Sequence, residues 1–384
     1  MGPLAGIRVI EIAGIGPAPY SAMVLADLGA TVIRVDRPGG SDLGVPIPPS
    51  LELLNRGRPS IAIDLKKPGA AEIVLRLLDD ADGLIEGMRP GVMERLGLGP
   101  DVCLARNPRL AYGRVTGWGQ DGPRAATAGH DINYIAVAGA LSGIGRPGAS
   151  PVPPLNLIGD YGGGAMYLAV GMLAAILSAK ATGVGQVVDT AMVDGAAQLM
   201  TMFHALAAAG QWPGARGENL LDGGAPFYDT YETSDGGYVA VGAIEAKFYA
   251  LLLEGLGLDP AALPDQYDRA AWPALRARFA AAFRSRTRDE WAALFAESDA
   301  CVTPVLERTE VAEDPHLAAR AAMIDIAGIR QPAPAPRFST TPAATPSPPV
   351  APGASTRDVL GEAGFDTNEI ETLIAGEVVF EDAS

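Results

Sequence analysis

Of the three histidines in this 384-residue chain, His130 stands in AGHDINY, a polar loop with glycine-rich flanks. An imidazole in an open loop suits proton transfer near neutral pH. Asp160 lies in NLIGDYGGGAMYL, an acid followed by three glycines where an apolar helix begins. Such an acid can serve as a helix cap. The bare glycine backbone also admits a ligand, and the helix dipole there favours developing negative charge. His130 and Asp160 are therefore a candidate acid and base, drawn from two separate loops. His204 reads as a core or interface residue, and His316, after Asp-Pro, as part of a helix start. No HxH, HExxH, GxSxG or catalytic-cysteine pattern is present, and Cys103 and Cys301 stand far apart, so no metal site, disulfide framework or activated serine is expected.

Cations gather where strands are expected to end. Arg37 follows the run TVIRVD, Lys66 follows IAIDL, and Arg89 lies in GMRPG after GLIEG, with Arg95 about a helical turn further. Lysine is scarce, at four residues, and two of the four are the adjacent Lys66 and Lys67. Strand ends of an open α/β sheet are where ligands bind, so these groups could converge on one polyphosphate. The turn Gly14-Ile-Gly16-Pro17 after the first strand, with Asp36 ending the second, has the outline of a dinucleotide fingerprint. Pro17 and Pro19 lack the N–H groups that would face a pyrophosphate, which argues against NAD.

The elements that must hold these residues follow from hydrophobic spacing. IRVIEI, TVIRVD, IAIDL, GLIEG and LAYGRVTG are short apolar runs separated by helical patterns or long loops. That alternation predicts an α/β fold with a doubly wound parallel sheet. From residue 226 the pattern changes to two β-branched, aromatic runs joined by Ser-Asp-Gly-Gly, a hairpin signal. The expected organisation is a large domain over 1–225, a smaller α+β domain over 226–330, and a Pro-rich extended return with terminal helices over 331–384.

The formal net charge of −16 opposes a nucleic-acid or anionic-membrane partner. Two uncharged stretches, 161–179 and 195–215, approach spanning length but contain Gly-Gly-Gly, or Gln, His and Pro. They are expected to be buried helices between domains, without membrane insertion. MGPLAGIRVIEIAG has no basic region followed by a long apolar core, so a cytoplasmic location is the default expectation.

Taken together, the blocks AGIGPAP, VIRVDRPGG, IDLKKPGA, EGMRPGVMERLGLGP, GQDGPRAATAGHDINY, PLNLIGDYGGGAMYL, NLLDGGAPFYDTYET and YVAVGAIEAKFYA resemble the α-methylacyl-CoA racemases of the family III CoA-transferase group. The resemblance implies an interlocked homodimer and an acyl-CoA thioester substrate, with no separate cofactor because CoA is part of that substrate. It implies CoA contacts at Arg37, at Ile63, Asp64, Leu65 and Lys66, at Gly87, Met88 and Arg89, and at Arg95. Further acyl-CoA contacts are implied at Gly129, Ile132, Asn133 and Tyr134. The same resemblance implies proton transfer by His130 and Asp160, with Glu245 orienting the histidine and Asp131 supporting the aspartate. Met192, Met200 and Met202 are either acyl-chain lining or plain core. A transferase using Asp160 as a nucleophile is the alternative within the group.

Overall fold

The computed structural model describes residues 2–39 and 47–382. Gly40, the last residue of the VIRVDRPGG block, lies outside the described residues. The chain folds as two units, one of Met1–Ala138, Leu155–Leu199 and Ala319–Ser384, the other of Gly139–Pro154 and Met200–Ala318. The crossings fall after Ala138, Pro154, Leu199 and Ala318, not at 225 and 330 as the sequence suggests. No Gly or Pro marks the step from Leu199 to Met200, so local composition hides that crossing.

In the first unit, β1 (Arg8–Ile12), α1 (Pro17–Asp27), β2 (Thr31–Asp36), β3 (Ser60–Ile63), α2 (Ala70–Leu78), β4 (Gly83–Glu86), α3 (Val92–Arg95), α4 (Pro100–Arg106), β5 (Ala111–Thr116) and α5 (Asp131–Val137) follow in order. Wide π-helical turns over Leu157–Ala165 run directly into α6 (Met166–Thr182), then β6 (Gln186–Ala191) and α7 (Met192–Leu199). The second unit holds α8 (Thr201–Ala208), β7 (Tyr228–Glu232), β8 (Tyr238–Gly242), α9 (Ala246–Leu256), α10 (Trp272–Phe283), α11 (Arg288–Phe295), β9 (Val302–Pro304) and most of α12 (Pro315–Ala319). The return to the first unit carries β10 (Met323–Ile326), β11 (Ile329–Pro332), α13 (Thr356–Glu362), α14 (Thr367–Ala375) and β12 (Val379–Phe380).

Among the described residues, seven strands form one sheet in the order β12-β3-β2-β1-β4-β5-β6, parallel except for the antiparallel β12. Side chains alternate between its faces. Ile10, Ile33 and Ile61 pack with Ile73, Leu77, Val359 and Leu360 on one side. Val9, Val32 and Ile85 pack with Ala22, Leu25, Leu168 and Met172 on the other. Burial on both faces explains why these strands read as continuous β-branched runs instead of alternating ones. Helix α6 lies close to the sheet because Gly83 and Gly113 leave room for Met172, whose thioether would collide with a Cβ at either position.

The run Leu157–Thr182 is long and apolar enough to cross a membrane by length and composition, but half of its most apolar 18 residues are buried within this chain. The second apolar stretch behaves otherwise than expected: no residue of α8 is buried, and His204 on it is exposed, not core. The second unit is a three-stranded antiparallel sheet, β7-β8-β9, whose expected hairpin turns at residues 233–237. Phe227, Tyr231, Phe279, Phe283 and Trp291 fill its core.

The Pro-rich return is anchored to the first unit by backbone hydrogen bonds. Ser355 N–H donates to the Ser60 carbonyl at 2.8 Å, Gly353 N–H to Ser60 Oγ at 2.9 Å, and Gly57 N–H to the Ser347 carbonyl at 2.9 Å. Strand order reverses between β1 and β4, so the loops after β1, β4 and β5 surround a crevice at the carboxyl edge of the sheet.

Candidate active site

That crevice is a cavity of about 440 Å³. Gly16 lines it from the β1 loop, Gly87, Met88 and Arg89 from the β4 loop, and Trp118, Gly129, His130 and Tyr134 from the loop after β5 and the helix that follows. Asn156, Asp160 and Tyr161 close it from the π-helical turns, with Met192 beside them. His130 and Asp160, 30 positions apart in sequence, thus face one space.

Each is held by its own support. His130 precedes α5, and its backbone N–H donates to Asn133 Oδ1 at 3.0 Å, which fixes the helix start. Tyr134, one turn on, is buried, donates its hydroxyl to the Gly129 carbonyl, and meets Trp118 edge-on at 4.9 Å. This bracket spans the histidine. Asp131 turns inward, and its Oδ2 accepts the N–H groups of Gly159 at 2.6 Å and Asp160 at 2.8 Å. It therefore anchors the backbone that carries Asp160. Its other oxygen, Oδ1, is buried without a hydrogen-bond partner among the described residues.

Asp160 itself is half-buried and accepts one side-chain hydrogen bond, from Asn156 Nδ2 at 3.1 Å. Burial holds its carboxyl above the ordinary aspartate range and the charge of Asp131 adds to this, while Asn156 and His130 oppose it. The glycine turn after β1 serves this acid: Gly16 has φ +66°, and a Cβ there would stand 3.2 Å from Asp160 Oδ2. Gly195 of α7 likewise has no space for a Cβ against the Gly163 carbonyl, which lets the π-helical turns and α7 meet backbone to backbone. Tyr161 stacks on Tyr20 of α1 at 4.5 Å.

Asp36, in the place of a dinucleotide fold's ribose acid, is not available to a ligand. It is buried and accepts from Arg34 Nε at 2.6 Å and Ser60 Oγ at 2.5 Å. The remaining expected contacts are spread along the same carboxyl edge. Arg37 is exposed just after β2; Ile63 is buried at the end of β3; Asp64 takes the Lys66 N–H at 3.1 Å; Leu65 is half-buried and Lys66 exposed. Gly87 packs on Ala18, and Arg89 and Arg95 are exposed at either end of the short α3 segment. Arg37, Arg89 and Arg95 make no ion pair among the described residues. Ile132 is exposed on α5 and does not line the cavity. Glu245 belongs to the second unit, exposed at the start of α9, and is not among the cavity's lining residues. Of the three methionines, Met192 is buried at the cavity, while Met200 is half-buried and Met202 exposed in the second unit.

The sequence pattern of the family III CoA-transferases matches residues 4–356. The chain belongs to this family. It is 46% identical over 383 residues to alpha-methylacyl-CoA racemase of Mus musculus, covering 99% of this chain and 98% of that protein. Identity to alpha-methylacyl-CoA racemase of Homo sapiens is 44% over 383 residues, covering 98% and 97%. The fold is similar to a CAIB/BAIF family protein from Brucella suis, with a TM-score of 0.83, 27% identity, and coverage of 94% of this chain and 99% of that one.

Asn156, which lines the cavity, and Glu86, buried behind the β4 loop, escaped the sequence reading. Asn156 stands four positions before Asp160, a spacing that puts two side chains on one helical face and could have identified it. Glu86 reads as an interior strand residue in GLIEG, and nothing local marks its partners.

Proposed function

We propose that this chain epimerises 2-methyl-branched acyl-CoA thioesters by 1,1-proton transfer through an enolate. The observation that carries the reading is His130 and Asp160 lining a single cavity at the switch point of the sheet. The near-full-length likeness to two alpha-methylacyl-CoA racemases supports the same reading. The thioester acidifies the α-proton, one side chain removes it, and the other delivers a proton to the opposite face. In the reverse direction the roles exchange. A carboxyl raised above its ordinary range is better matched to both halves of that task than an ordinary aspartate.

Because Asp131 takes the N–H groups of Gly159 and Asp160, these are not free for the enolate oxygen. The loop around Asp131 is the candidate to supply the backbone N–H groups that receive it. Arg37, Lys66, Arg89 and Arg95 bind the phosphates and adenine end of CoA, with Ile63, Asp64, Leu65, Gly87 and Met88 shaping the channel. Gly129, Asn133 and Tyr134 form the thioester end. The reaction moves only protons, so CoA as part of the substrate is the one nucleotide required.

A second copy of the chain completes the enzyme, with Glu245 orienting His130. Apolar groups left open in one chain support this: Val170 is 63% exposed, Leu177 71% and Met202 51%. Edge strand β6 is likewise open along its first residues. Sedimentation at several concentrations should give a dimer.

The activity test is incubation of one epimer of a 2-methylacyl-CoA in deuterated water with no acceptor acid. Deuterium uptake with convergence on an epimer mixture is expected. No exchange, followed by CoA transfer once a free acid is added, would make Asp160 a nucleophile and the chain a transferase.

A further inference from the structure

Behind the β4 loop lies a charge cluster that the proton-transfer scheme does not use. Glu86, the last residue of β4, is wholly buried. Its Oε2 accepts the Met88 N–H at 2.7 Å, and its Oε1 accepts Arg114 Nε at 2.9 Å. Arg114, from the neighbouring strand β5, reaches on with Nη1 to Glu94 of α3 at 2.9 Å. One guanidinium therefore ties the strand end to the helix that follows the loop. Two connections complete the frame: Val92 N–H donates to the Arg89 carbonyl at 3.1 Å, and Arg95 N–H to the Gly91 carbonyl at 3.2 Å.

A buried ion pair is a weak source of net stability, because desolvation offsets most of the attraction. What it supplies here is geometry. The two ends of the framed segment carry Arg89 and Arg95, both exposed and free of ion pairs among the described residues. We infer that Glu86, Arg114 and Glu94 form a positioning clamp that sets the spacing of Arg89 and Arg95 for the phosphates of CoA. This rests on the reading above that the nucleotide of an acyl-CoA is held by those two arginines. The clamp touches no reacting atom, so its loss should weaken nucleotide recognition and spare proton transfer.

The test compares kcat/KM for a 2-methylacyl-CoA with that for the matching 2-methylacyl pantetheine thioester, which has no nucleotide. The intact protein should favour the CoA ester. In Glu86→Gln and in the milder Glu94→Gln, the ratio of the two values should fall about tenfold, the scale of one charge-assisted hydrogen bond. A general loss of folding lowers both substrates together and leaves the ratio in place, which would overturn the clamp, as would an unchanged ratio in both variants. The reading of the nucleotide site fails separately if Arg89→Ala and Arg95→Ala leave the ratio of the intact protein unaltered, and the inference falls with it.

Discussion

Asp36 and Asp160 both lie toward the carboxyl edge of one parallel sheet, and they are treated in opposite ways. Asp36 is buried and accepts from Arg34 and Ser60. Around it Glu11 and Arg58 form a second ion pair with fully buried side chains, and Arg34 reaches the Val350 carbonyl at 3.2 Å. These charges are spent on each other and on holding the Pro-rich return. Among the described residues Asp160 has no cationic partner in hydrogen-bonding contact; it accepts one bond from a neutral amide and faces open space. Pairing makes a charge structural, and its lack leaves a group able to exchange a proton with a substrate.

The largest effect that would break this contrast is on activity. His130→Ala and Asp160→Ala should each lower epimerisation by at least about 10³-fold, within the range for acid–base groups, while CoA affinity by titration stays close to that of the parent. Full activity in either variant would refute the assignment. Next in size is the paired region. Arg58→Met leaves Glu11 as a buried carboxylate without its cation, and urea unfolding should show a loss of about 3–5 kcal/mol. A loss below about 1 kcal/mol, the level of an exposed pair, would mean the cluster is not the lock described. Arg37→Ala should weaken CoA binding about tenfold with unchanged unfolding midpoint, and unchanged affinity would remove Arg37 from the site.

The smallest effect is a pH dependence that sharpens the comparison. Burial raises the Asp160 carboxyl in the folded chain above its unfolded value. The stability this gives is fully present below the unfolded pKa and is lost as pH rises through the folded pKa. Asp160→Asn should therefore be more stable than the parent at neutral pH, with the difference vanishing in acid below the ordinary carboxylate range. Unfolding curves that show destabilisation at neutral pH would contradict it.

Much of this was legible from local pattern. A parallel sheet buries its strands on both faces, so TVIRVD and IAIDL announce themselves as short β-branched runs, and His130 and Asp160 stand out because they sit in glycine-rich loops. What was not legible depends on contacts distant in sequence. The antiparallel addition of β12 beside β3, the bond from Asp36 to Ser60, and the chain's passage out of the first unit at Ala138 leave no local period. Gly16 is a position whose structural purpose the sequence pattern does not reveal. The turn outlines a dinucleotide fingerprint that Pro17 and Pro19 oppose, whereas in the structure the missing side chain of Gly16 makes room for Asp160, 144 positions later.

The central claim is that His130 and Asp160 serve opposite faces of one α-carbon, and epimer-resolved deuterium exchange in the two single variants tests it most directly. With one base removed, the other can still take and return a proton on its own face. His130→Ala and Asp160→Ala should each incorporate deuterium into one epimer without inversion, and the two variants should choose opposite epimers. Exchange of both epimers by either variant, or the same epimer chosen by both, would contradict the account.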